Sequence, residues 1–441
     1  MRKYSILLLL SFCVTATFAQ YTVGTLAGDT AGYRDGSNSS ALFNAPAGIA
    51  VDTSGKNVYV ADAYNNRIRL ITGGVTGTLA GDTVGFRDGV GTVALFNQPL
   101  GVCTDRAGNI YVADTYNNAI RKITPGGTVM TIGGKGLDSA GFRNGADSIA
   151  LFNQPVGVAI DTADNIYIAD YGNNMVRKIS SVGIVSTFAG NDTAGYRNGP
   201  DSIAEFTGLA GIAVDDSGFV YVTEFYNNSV RKIRNGYVYN IGGFDTVGMD
   251  TAIIVPLPGY NDTIVSADTS YFNSPTGLVV DKHGTVLVCD EYNNVIREIS
   301  NGQVWTFAGN TAAGLVNGVP DSAQFYQPFG IAEDKYGNFY ISDNGNNAIR
   351  TITVPPLGIN PIIAKKTTMQ VYPVPCNNNT LIANGPTGLA ELTDLTGRVV
   401  WSQEHFKAPY TLTTSDIPAG VYFIRVSNAN ESAVSKIVVQ H

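Results

Sequence analysis

The stretch GIAVDTSGKNVYVADAYNNRIRLI at Gly48–Ile71 alternates β-branched and aromatic runs with clusters of Gly, Asn and Asp. Such runs predict strands, and the clusters between them predict turns. Five more stretches repeat this order, and a phenylalanine precedes each of the six: Phe43, Phe96, Phe152, Phe206, Phe272 and Phe325. Their spacing of roughly 50 to 65 residues is typical of propellers and solenoids.

Each repeat predicts four strands, which in the second unit are GVCTD, NIYVAD, AIRKIT and GTVMTIGG. The segment Tyr21–Asp29 (YTVGTLAGD) resembles the fourth strand in Val75–Asp82 (VTGTLAGD), although it precedes the first unit. The sixth unit ends in AIRTITVPP with no such strand after it. We therefore predict an all-β, six-bladed propeller with four-stranded blades over residues 20–353. Its N-terminal strand completes the last blade, which removes an exposed sheet edge.

The repeated unit also points to a family. Gly48–Ile71 and its five counterparts resemble NHL repeats, and the chain from about Tyr21 to Thr353 resembles a bacterial extracellular NHL-repeat six-bladed propeller. Members of NHL families mostly bind proteins, RNA or glycans, and a few of their relatives are enzymes. The resemblance therefore implies the fold far more firmly than the function.

The two ends of the chain predict export. The start, MRKYSILLLLSFCVTATFAQ, combines basic residues, an apolar run and small residues, which predicts a signal peptide over residues 1–19. That run is too short to span a bilayer, and no later segment predicts a transmembrane helix. Prolines in 354–366 predict a linker, and short strands over 367–441 predict a small Ig-like β-sandwich.

The tail resembles the type A C-terminal sorting domain of the type IX secretion system of Bacteroidetes-type bacteria. The residues that carry this resemblance are Tyr372, Pro373, Pro375, Asp394, Gly397, Arg398, Gly420 and Tyr422. Val374 departs from the family pattern, in which Asn is usual between the two prolines. The resemblance implies the secretion machinery as a partner, and a protein that is secreted or attached to the outer membrane at the cell surface.

Composition excludes several function classes. The net charge of −8 argues against a protein that binds nucleic acid through its phosphates. Cys103, Cys289 and Cys376 have no close spacing, so no disulfide framework is predicted. Cys103 and Cys289 take positions that hold alanine in other repeats, which predicts small buried side chains. The histidines are few and scattered, which argues against a histidine-ligated metal centre, and no cofactor is predicted.

Two sets of repeated charged residues are predicted to be structural. An aspartate follows each first strand, and five of these open a D-x-x-G turn: Asp52, Asp105, Asp161, Asp215, Asp281 and Asp334. The alternative is a carboxylate ring that holds a cation. A second set pairs an acid with an arginine seven residues later, within or between blades: Asp62 and Arg69, Asp114 and Arg121, Asp170 and Arg177, Glu224 and Arg231, Asp290 and Arg297, Asp343 and Arg350.

Candidate ligand-binding residues lie in the loops. Antiparallel strands alternate in direction, so the hairpins between second and third strands share one face with the links that lead into each first strand. Four links carry an aromatic residue followed by arginine: Tyr33 and Arg34, Phe86 and Arg87, Phe142 and Arg143, Tyr196 and Arg197. Four hairpin tips carry a tyrosine: Tyr64, Tyr116, Tyr226 and Tyr292. A long insertion, which includes Asp250–Ser270, makes this face asymmetric.

We predict that this face binds an extracellular glycan, peptide or protein, with aromatic rings for stacking and arginines for acidic groups. The alternative is structural, with each link arginine bonded to its own loop, for instance to Asp35 or Asp88, and the tyrosines packed on neighbouring loops.

The predicted function is thus a secreted or cell-surface binding module for a glycan, peptide or matrix ligand. One alternative is a metal-dependent propeller hydrolase or lyase, and another is a purely structural adhesin component. Glu333, one residue before Asp334 in the sixth first strand, is the only non-repeated acid at that position, and it is the one candidate for a metal ligand at the central tunnel. The residues before the first-strand glycines predict a mostly apolar central mouth: Ala47, Leu100, Val156, Ala210, Thr276 and Phe329.

Overall fold

A computed structural model describes most of the chain between Tyr21 and Gln440. The described residues are 21–136, 139–243, 272–281, 283–300, 302–353, 369, 371–372, 374, 379–382, 387–394, 399–427 and 432–440. The predicted signal peptide, the linker 354–366, the insertion that includes Asp250–Ser270, and Cys376 lie outside them. The chain divides into two compact units, Met1–Pro355 and Pro356–His441.

The first unit consists of antiparallel sheets that follow one another along the chain, each a blade of the predicted propeller. The N-terminal strand is β1 (Thr22–Ala27). Blade 1 holds β2 (Gly36–Ser37), β3 (Pro46–Val51), β4 (Val58–Asp62), β5 (Arg67–Thr72) and β6 (Val75–Gly81). Blade 2 holds β7 (Gly89–Val90), β8 (Pro99–Thr104), β9 (Ile110–Asp114), β10 (Ala119–Ile123) and β11 (Thr128–Gly133). Blade 3 holds β12 (Gly145–Ala146), β13 (Pro155–Ile160), β14 (Ile166–Asp170), β15 (Met175–Ile179) and β16 (Ile184–Ala189).

The remaining blades repeat this order. Blade 4 holds β17 (Gly199–Pro200), β18 (Leu209–Val214), β19 (Val220–Glu224), β20 (Ser229–Arg234) and β21 (Tyr237–Gly242). Blade 5 holds β22 (Pro275–Val280), β23 (Val286–Asp290), β24 (Val295–Ser300) and β25 (Gln303–Ala308). Blade 6 holds β26 (Pro328–Glu333), β27 (Phe339–Asp343) and β28 (Ala348–Thr353). Short 3-10 helices span Ala63–Asn65, Gly91–Val93, Thr115–Asn117, Tyr171–Asn173, Glu291–Asn293, Pro320–Ser322 and Asn344–Asn346.

The N-terminal strand completes the last blade, as the sequence predicts. β1 pairs antiparallel with β28, with Thr22 opposite Thr353 and Ala27 opposite Ile349. Val23 also exchanges backbone hydrogen bonds with Gly318 on its other side. Because β26 of blade 6 packs against β3 of blade 1, the first and last blades are neighbours. The prediction of an all-β, six-bladed propeller fold is confirmed.

The six phenylalanines fill the space between blades. Phe43, Phe96, Phe152, Phe206 and Phe325 are fully buried, and Phe272 is nearly so. Phe96, for example, shares one apolar cluster with Ile68 of blade 1 and Val112 of blade 2. A side chain of this size buried against two sheets contributes about 2 kcal/mol or more. The repeated phenylalanines therefore join neighbouring blades through their apolar cores.

The innermost strands approach one another closely at a ring of glycines. A Cβ atom on Gly101 would lie 2.2 Å from the carbonyl oxygen of Val156 in the next blade. The same closeness recurs at Gly48, Gly157, Gly211, Gly277 and Gly330. The central channel that remains has a volume of about 60 Å³, and Leu100, Val156, Ala210 and Phe329 are among its lining residues. The apolar mouth is predicted at six positions; these four line the channel, whereas Ala47 and Thr276 are not among the described lining residues.

The second unit contains two sheets around one apolar core. The first has the order β29 (Val371–Tyr372), β30 (Asn379–Ile382) and β33 (Tyr410–Thr413). The second has the order β32 (Val399–Phe406), β31 (Gly388–Thr393), β34 (Gly420–Ser427) and β35 (Ser432–Val439). Leu392, Phe406, Ile424 and Ile437 are buried in the shared core. This arrangement is the sandwich that the sequence predicts.

Part of the sorting motif can be placed in this unit. Tyr372 lies in β29, Asp394 follows β31, and Gly420 begins β34. Tyr422 is buried, and its hydroxyl donates a hydrogen bond of 2.8 Å to the carbonyl of Pro418. Pro373, Pro375, Gly397 and Arg398 lie outside the described residues.

Candidate ligand-binding face

The hairpin tips and the links share one face of the propeller. The tips are residues 63–66, 115–118, 171–174, 225–228, 291–294 and 344–347, and together with the links before each first strand they form what we call the hairpin face. The backbone N–H of Tyr64 donates to the carbonyl of Asn44 (3.1 Å), and the Asn65 side chain donates to the carbonyl of Gly32 (2.8 Å). The shared face predicted from strand direction is therefore present.

Asparagines at the ends of the tips tie each blade to the next. Asn66 adopts a left-handed backbone with a φ of 55°, which asparagine tolerates better than most residues. Its side-chain oxygen accepts a 2.9 Å hydrogen bond from the backbone N–H of Gln98 in blade 2. Asn347 of blade 6 accepts in the same way from Ala45 before blade 1 (2.9 Å). Asn118, Asn228 and Asn294 accept in the same way, so this bond joins neighbouring blades at five junctions of the described propeller.

Beneath the face, the predicted acid–arginine pairs form within blades. The distances between carboxylate oxygen and guanidinium nitrogen are 2.6 Å for Asp62–Arg69, 2.6 Å for Asp114–Arg121, 2.7 Å for Asp170–Arg177, 2.6 Å for Glu224–Arg231, 2.9 Å for Asp290–Arg297 and 2.7 Å for Asp343–Arg350. Both side chains are fully buried in five of these pairs, and in the blade 5 pair the arginine is partly exposed. Their role is structural, as predicted.

The blade 2 pair shows how a buried charge is held. Besides Asp114, the Arg121 guanidinium donates to the carbonyls of Leu95 (3.0 Å) and Arg87 (2.8 Å) and to the Asp88 carboxylate (2.8 Å). Burial raises the pKa of Asp114 to about 6, even though Arg121 and other hydrogen-bond donors act in the opposite direction. Arg121 therefore fastens the link to its own blade, and Arg69, Arg177, Arg231 and Arg350 make equivalent contacts.

The aromatic residues of the links stack on these buried arginines. The Arg121 guanidinium lies 4.9 Å from the ring centre of Phe86 and 5.0 Å from that of Phe96. Equivalent contacts place Tyr33 against Arg67 and Arg69, Phe142 against Arg177 and Tyr196 against Arg231. Tyr33, Phe86 and Phe142 still expose more than a third of their surface. One face of each ring is thus used internally, and stacking on a ligand stays a prediction for the exposed part.

The link arginines are exposed, and three have contacts inside their own links. The Nε–H groups of Arg34 and Arg87 donate to the carbonyls of Ser40 and Val93, and Arg197 lies 3.9 Å from Glu205. Arg143 is exposed on the same face. The acids suggested as their structural partners instead bond the buried arginines, since Asp35 pairs with Arg69 and Asp88 with Arg121. Recognition of an acidic ligand by these four arginines stays a prediction.

The tip tyrosines are exposed at 60% (Tyr64), 46% (Tyr116), 60% (Tyr226) and 47% (Tyr292). The Tyr226 hydroxyl accepts a 2.9 Å hydrogen bond from the hydroxyl of Tyr171 in blade 3. Their ring centres are 6.3 Å apart. Phe225 contacts Tyr226 edge to face at 5.2 Å and Tyr292 of blade 5 at 5.8 Å. Tyr171, Tyr226, Phe225 and Tyr292 form a continuous row over three blades, which we call the aromatic row.

Tyr171, Phe225 and Tyr326 were not among the predicted site residues. Tyr326 takes a link position that holds asparagine in four other repeats, and its ring lies over Gly345, whose added Cβ would be only 2.6 Å from it. Blade 6 therefore presents a tyrosine, 41% exposed, although its tip has glycine. For Tyr171 and Phe225, the signal in the sequence is the position just before the tip tyrosine or the glycine that replaces it. The residue at this position varies although its neighbours repeat: Ala63, Thr115, Tyr171, Phe225, Glu291 and Asn344.

Glu291 is the one acid at this variable position. Its Oε2 atom is buried and has no hydrogen-bond partner. Burial raises the pKa of Glu291 to about 7. A half-buried acid with one buried, unpartnered carboxyl oxygen, next to the exposed Tyr292, is the kind of perturbed group that marks functional sites. Sequence reasoning missed it because it considered only the acids that repeat and those at the ends of first strands.

The first-strand aspartates close turns on the opposite face. Asp105 accepts hydrogen bonds from the backbone N–H groups of Ala107 (2.9 Å) and Asn109 (2.8 Å) and from the Tyr111 hydroxyl (3.1 Å). Burial would raise the pKa of Asp105, but these hydrogen bonds and one from the Asn109 side chain outweigh it and lower the pKa. The predicted turn role is confirmed, because these carboxylates are engaged within their own turns.

Glu333 lies at the end of β26, also away from the hairpin face. Within the part of the chain that the structure describes, no three His, Cys, Asp or Glu side chains come together in a way that could hold a metal ion. Cys289 is buried as expected, and Cys103 is only half-buried. Among the described residues, no helix is long and apolar enough to cross a bilayer.

Matches to known families agree with this architecture. The NHL repeat family matches at residues 43–69, 96–123, 152–179, 206–233 and 272–297. The secretion system C-terminal sorting domain family matches at residues 370–440. The chain carries NHL repeats and a C-terminal sorting domain. The sorting domain indicates export by the type IX secretion system, to the cell surface or as a secreted protein, and interaction with that machinery.

The NHL-repeat chain is also similar to individual proteins. It is 28% identical over 321 residues to the protein SUPPRESSOR OF QUENCHING 1 of Arabidopsis thaliana, a match that covers 70% of this chain and 30% of that protein. The chain spans less than half the length of the curated relatives it matches most strongly.

Two solved structures from Bacteroides thetaiotaomicron VPI-5482 share the fold. One is a protein of unknown function, with 20% identity and a TM-score of 0.56, and the other is an auxiliary nutrient binding protein, with 16% identity and a TM-score of 0.55. Each match covers 76% of both chains. At this level of identity, the likeness to the NHL-repeat chain shows the propeller fold.

Proposed function

We propose that the propeller is a binding module that takes an extracellular glycan on its hairpin face. The observation that carries this proposal is the aromatic row, in which four rings touch in sequence over three successive blades. A tyrosine offers a flat apolar ring with a hydroxyl at its edge. This combination suits a sugar, which presents apolar C–H groups on its faces and hydroxyls around its rim.

The rigidity of the face supports the proposal. The tips are held by asparagine hydrogen bonds between blades and by buried ion pairs within blades. A rigid arrangement of exposed rings loses little conformational entropy when a ligand binds. Export to the cell surface or beyond would bring the face into contact with extracellular polymers. The description of one solved propeller as an auxiliary nutrient binding protein is in keeping with such a role.

The alternative of a metal-dependent hydrolase or lyase has no comparable support. The described residues that line the channel are glycines and apolar side chains. The acids at the first-strand turns are bonded locally, and Glu333 stands at the end of a strand without a group of ligands around it in the described chain. The hairpin face, in contrast, carries the exposed tyrosines of the aromatic row.

The aromatic row can be tested by removing two of its rings. We expect Tyr226→Ala combined with Tyr292→Ala to weaken glycan binding at least tenfold, because each ring lost from a binding surface costs about 1 kcal/mol or more. The measurement is a glycan array probed with the intact chain, followed by calorimetric titration with the glycan that binds best.

Tyr336→Ala is the matched control. Tyr336 is 65% exposed but lies in the turn that follows β26, on the opposite face. Equal binding by the double variant and the wild type would contradict the proposal, as would equal losses in the double variant and Tyr336→Ala. Binding of peptides but of no glycan would contradict the glycan ligand and indicate a peptide ligand instead.

A further inference from the structure

Glu291 differs from the residues at the same position in two other blades, which donate hydrogen bonds there. At the equivalent position, the Thr115 hydroxyl donates to the carbonyl of Pro155 (2.8 Å), and the Asn344 side chain donates to the carbonyl of Pro46 (3.1 Å). Each acceptor begins the innermost strand of the following blade, so this position lies next to the channel on the hairpin face. An ionised carboxylate has no proton to donate, and Glu291 Oε2 is buried without a partner.

The hairpin of blade 5 and the link of blade 6 carry the exposed tyrosines Tyr292 and Tyr326. At the position equivalent to Glu291, Tyr171 reaches Tyr226 and Phe225 reaches Tyr292 of the following blade. The tip that follows Glu291 has Gly345, with the Tyr326 ring over it. The acid therefore stands at the end of the aromatic row, between the exposed rings of blade 5 and blade 6.

This arrangement suits a positively charged ligand group. A buried carboxyl oxygen without a donor has lost its hydrogen bonds to water, and a ligand that supplies a donor would replace them. A cationic donor forms a charge-assisted hydrogen bond, and the neighbouring ring faces attract the same cation. A neutral sugar hydroxyl supplies only the ordinary hydrogen bond.

We propose that Glu291 makes the hairpin face selective for a glycan that carries an ammonium group, with the carboxylate as its counter-ion and the adjacent tyrosines as its stacking partners. This inference rests on the proposed glycan-binding function. It adds to that function that the ligand is cationic and that Glu291 recognises its charge.

The neighbouring charged groups leave Glu291 as the group that senses pH. On its own hairpin Asp290 is paired with Arg297, and on blade 6 Asp343 is paired with Arg350. Burial, and then Glu291 itself, raises the pKa of Tyr292, so that this hydroxyl stays neutral near pH 7. Cys289 is buried, and its pKa is likewise raised.

The sign of the pH effect follows from the raised pKa of Glu291, about 7. A cation binds the ionised form, which predominates above pH 7 and is lost below it. The fraction of ionised Glu291 falls about tenfold from pH 8 to pH 6, and the apparent affinity for a ligand that stays cationic falls with it. A primary alkylamine keeps its charge over this range.

The experiment uses the intact chain and two probes of which only one carries an ammonium group, the 2-aminoethyl and methyl glycosides of fully N-acetylated chitotriose. We expect the wild type at pH 8 to bind the aminoethyl probe about tenfold more tightly than the methyl probe. This preference should fall below about twofold at pH 6, and in Glu291→Gln it should be absent at both pH values. Glu298→Gln, in the same blade and bonded to Ser300, is the control that should retain it.

Equal binding of both probes by the wild type at pH 8, no measurable binding of the aminoethyl probe, or an unchanged preference in Glu291→Gln would overturn the inference. Binding that depends on Tyr226 and Tyr292 but not on the amine, whether of a probe or of an array glycan, would overturn the inference. It would leave the proposed function intact. Binding of trilysine without binding of either glycoside would overturn the inference of a glycan ligand and indicate a cationic peptide instead. Thermal unfolding of Glu291→Gln close to that of the wild type shows that a changed preference does not reflect misfolding.

Discussion

Replacing Arg121 by alanine is expected to destabilise the propeller by about 3–5 kcal/mol, because the substitution leaves the Asp114 carboxyl buried without its cation. Arg121 is fully buried and binds Asp114 at 2.6 Å. It also closes the link of blade 2 through the carbonyl of Leu95 and the carboxylate of Asp88. The loss should therefore release this link from the hairpin face as well as lower stability. Denaturant unfolding, followed by tryptophan or tyrosine fluorescence, measures the change in free energy.

Arg87→Ala is the matched control for Arg121→Ala. Arg87 lies in the same link but is exposed, and its side chain contacts the carbonyl of Val93. We expect it to change the free energy of unfolding by less than about 1 kcal/mol. Equal effects of the two substitutions on the free energy of unfolding would show that the buried ion pairs within the blades do not stabilise the propeller.

Loss of the N-terminal strand is expected to destabilise the fold by about 4 kcal/mol or more, since it removes apolar burial and a row of strand hydrogen bonds. Val23 is buried with Ile352 in one cluster, and the Tyr21 ring packs at 5.0 Å on Phe307. A variant without Tyr21–Gly28 would also leave the outer edge of β28 unpaired, which promotes aggregation. Scanning calorimetry and light scattering measure these two effects.

A milder substitution separates the strand's packing from its presence. Val23→Asp should destabilise by about 3 kcal/mol, because it places a charge in the core, whereas Thr22→Asp should have little effect since Thr22 is exposed on the same strand. Thermal unfolding of Val23→Asp at the wild-type temperature would contradict the role of β1 in completing blade 6.

Much of the fold follows from features that occur six times. The buried phenylalanines and the acid–arginine spacing of seven residues recur in every repeat, so a structural role could be assigned to them from the sequence alone. The pairing of β1 with β28 could be predicted because Tyr21–Asp29 resembles a fourth strand and the sixth repeat lacks one. Local repetition here specifies long-range structure.

The candidate site could be predicted only in part. The shared face and the exposed tip tyrosines follow from strand direction, but the aromatic row joins Tyr171 to Tyr226, which are 55 positions apart in sequence. Tyr326 lies over Gly345 and so supplies the tyrosine that the blade 6 tip lacks. This contact is likewise visible only in three dimensions. The burial that raises the pKa of Glu291 comes from the packing of neighbouring elements, which the repeat pattern does not reveal.

The hairpin face is the central claim, and its most direct test is hydrogen exchange measured by mass spectrometry, with and without the glycan that binds best on the array. We predict slower exchange in tips 171–174, 225–228 and 291–294 when the glycan is bound, because these tips carry the aromatic row and Glu291. Slower exchange confined to the turns on the opposite face, such as 105–109 and 334–338, would contradict the claim.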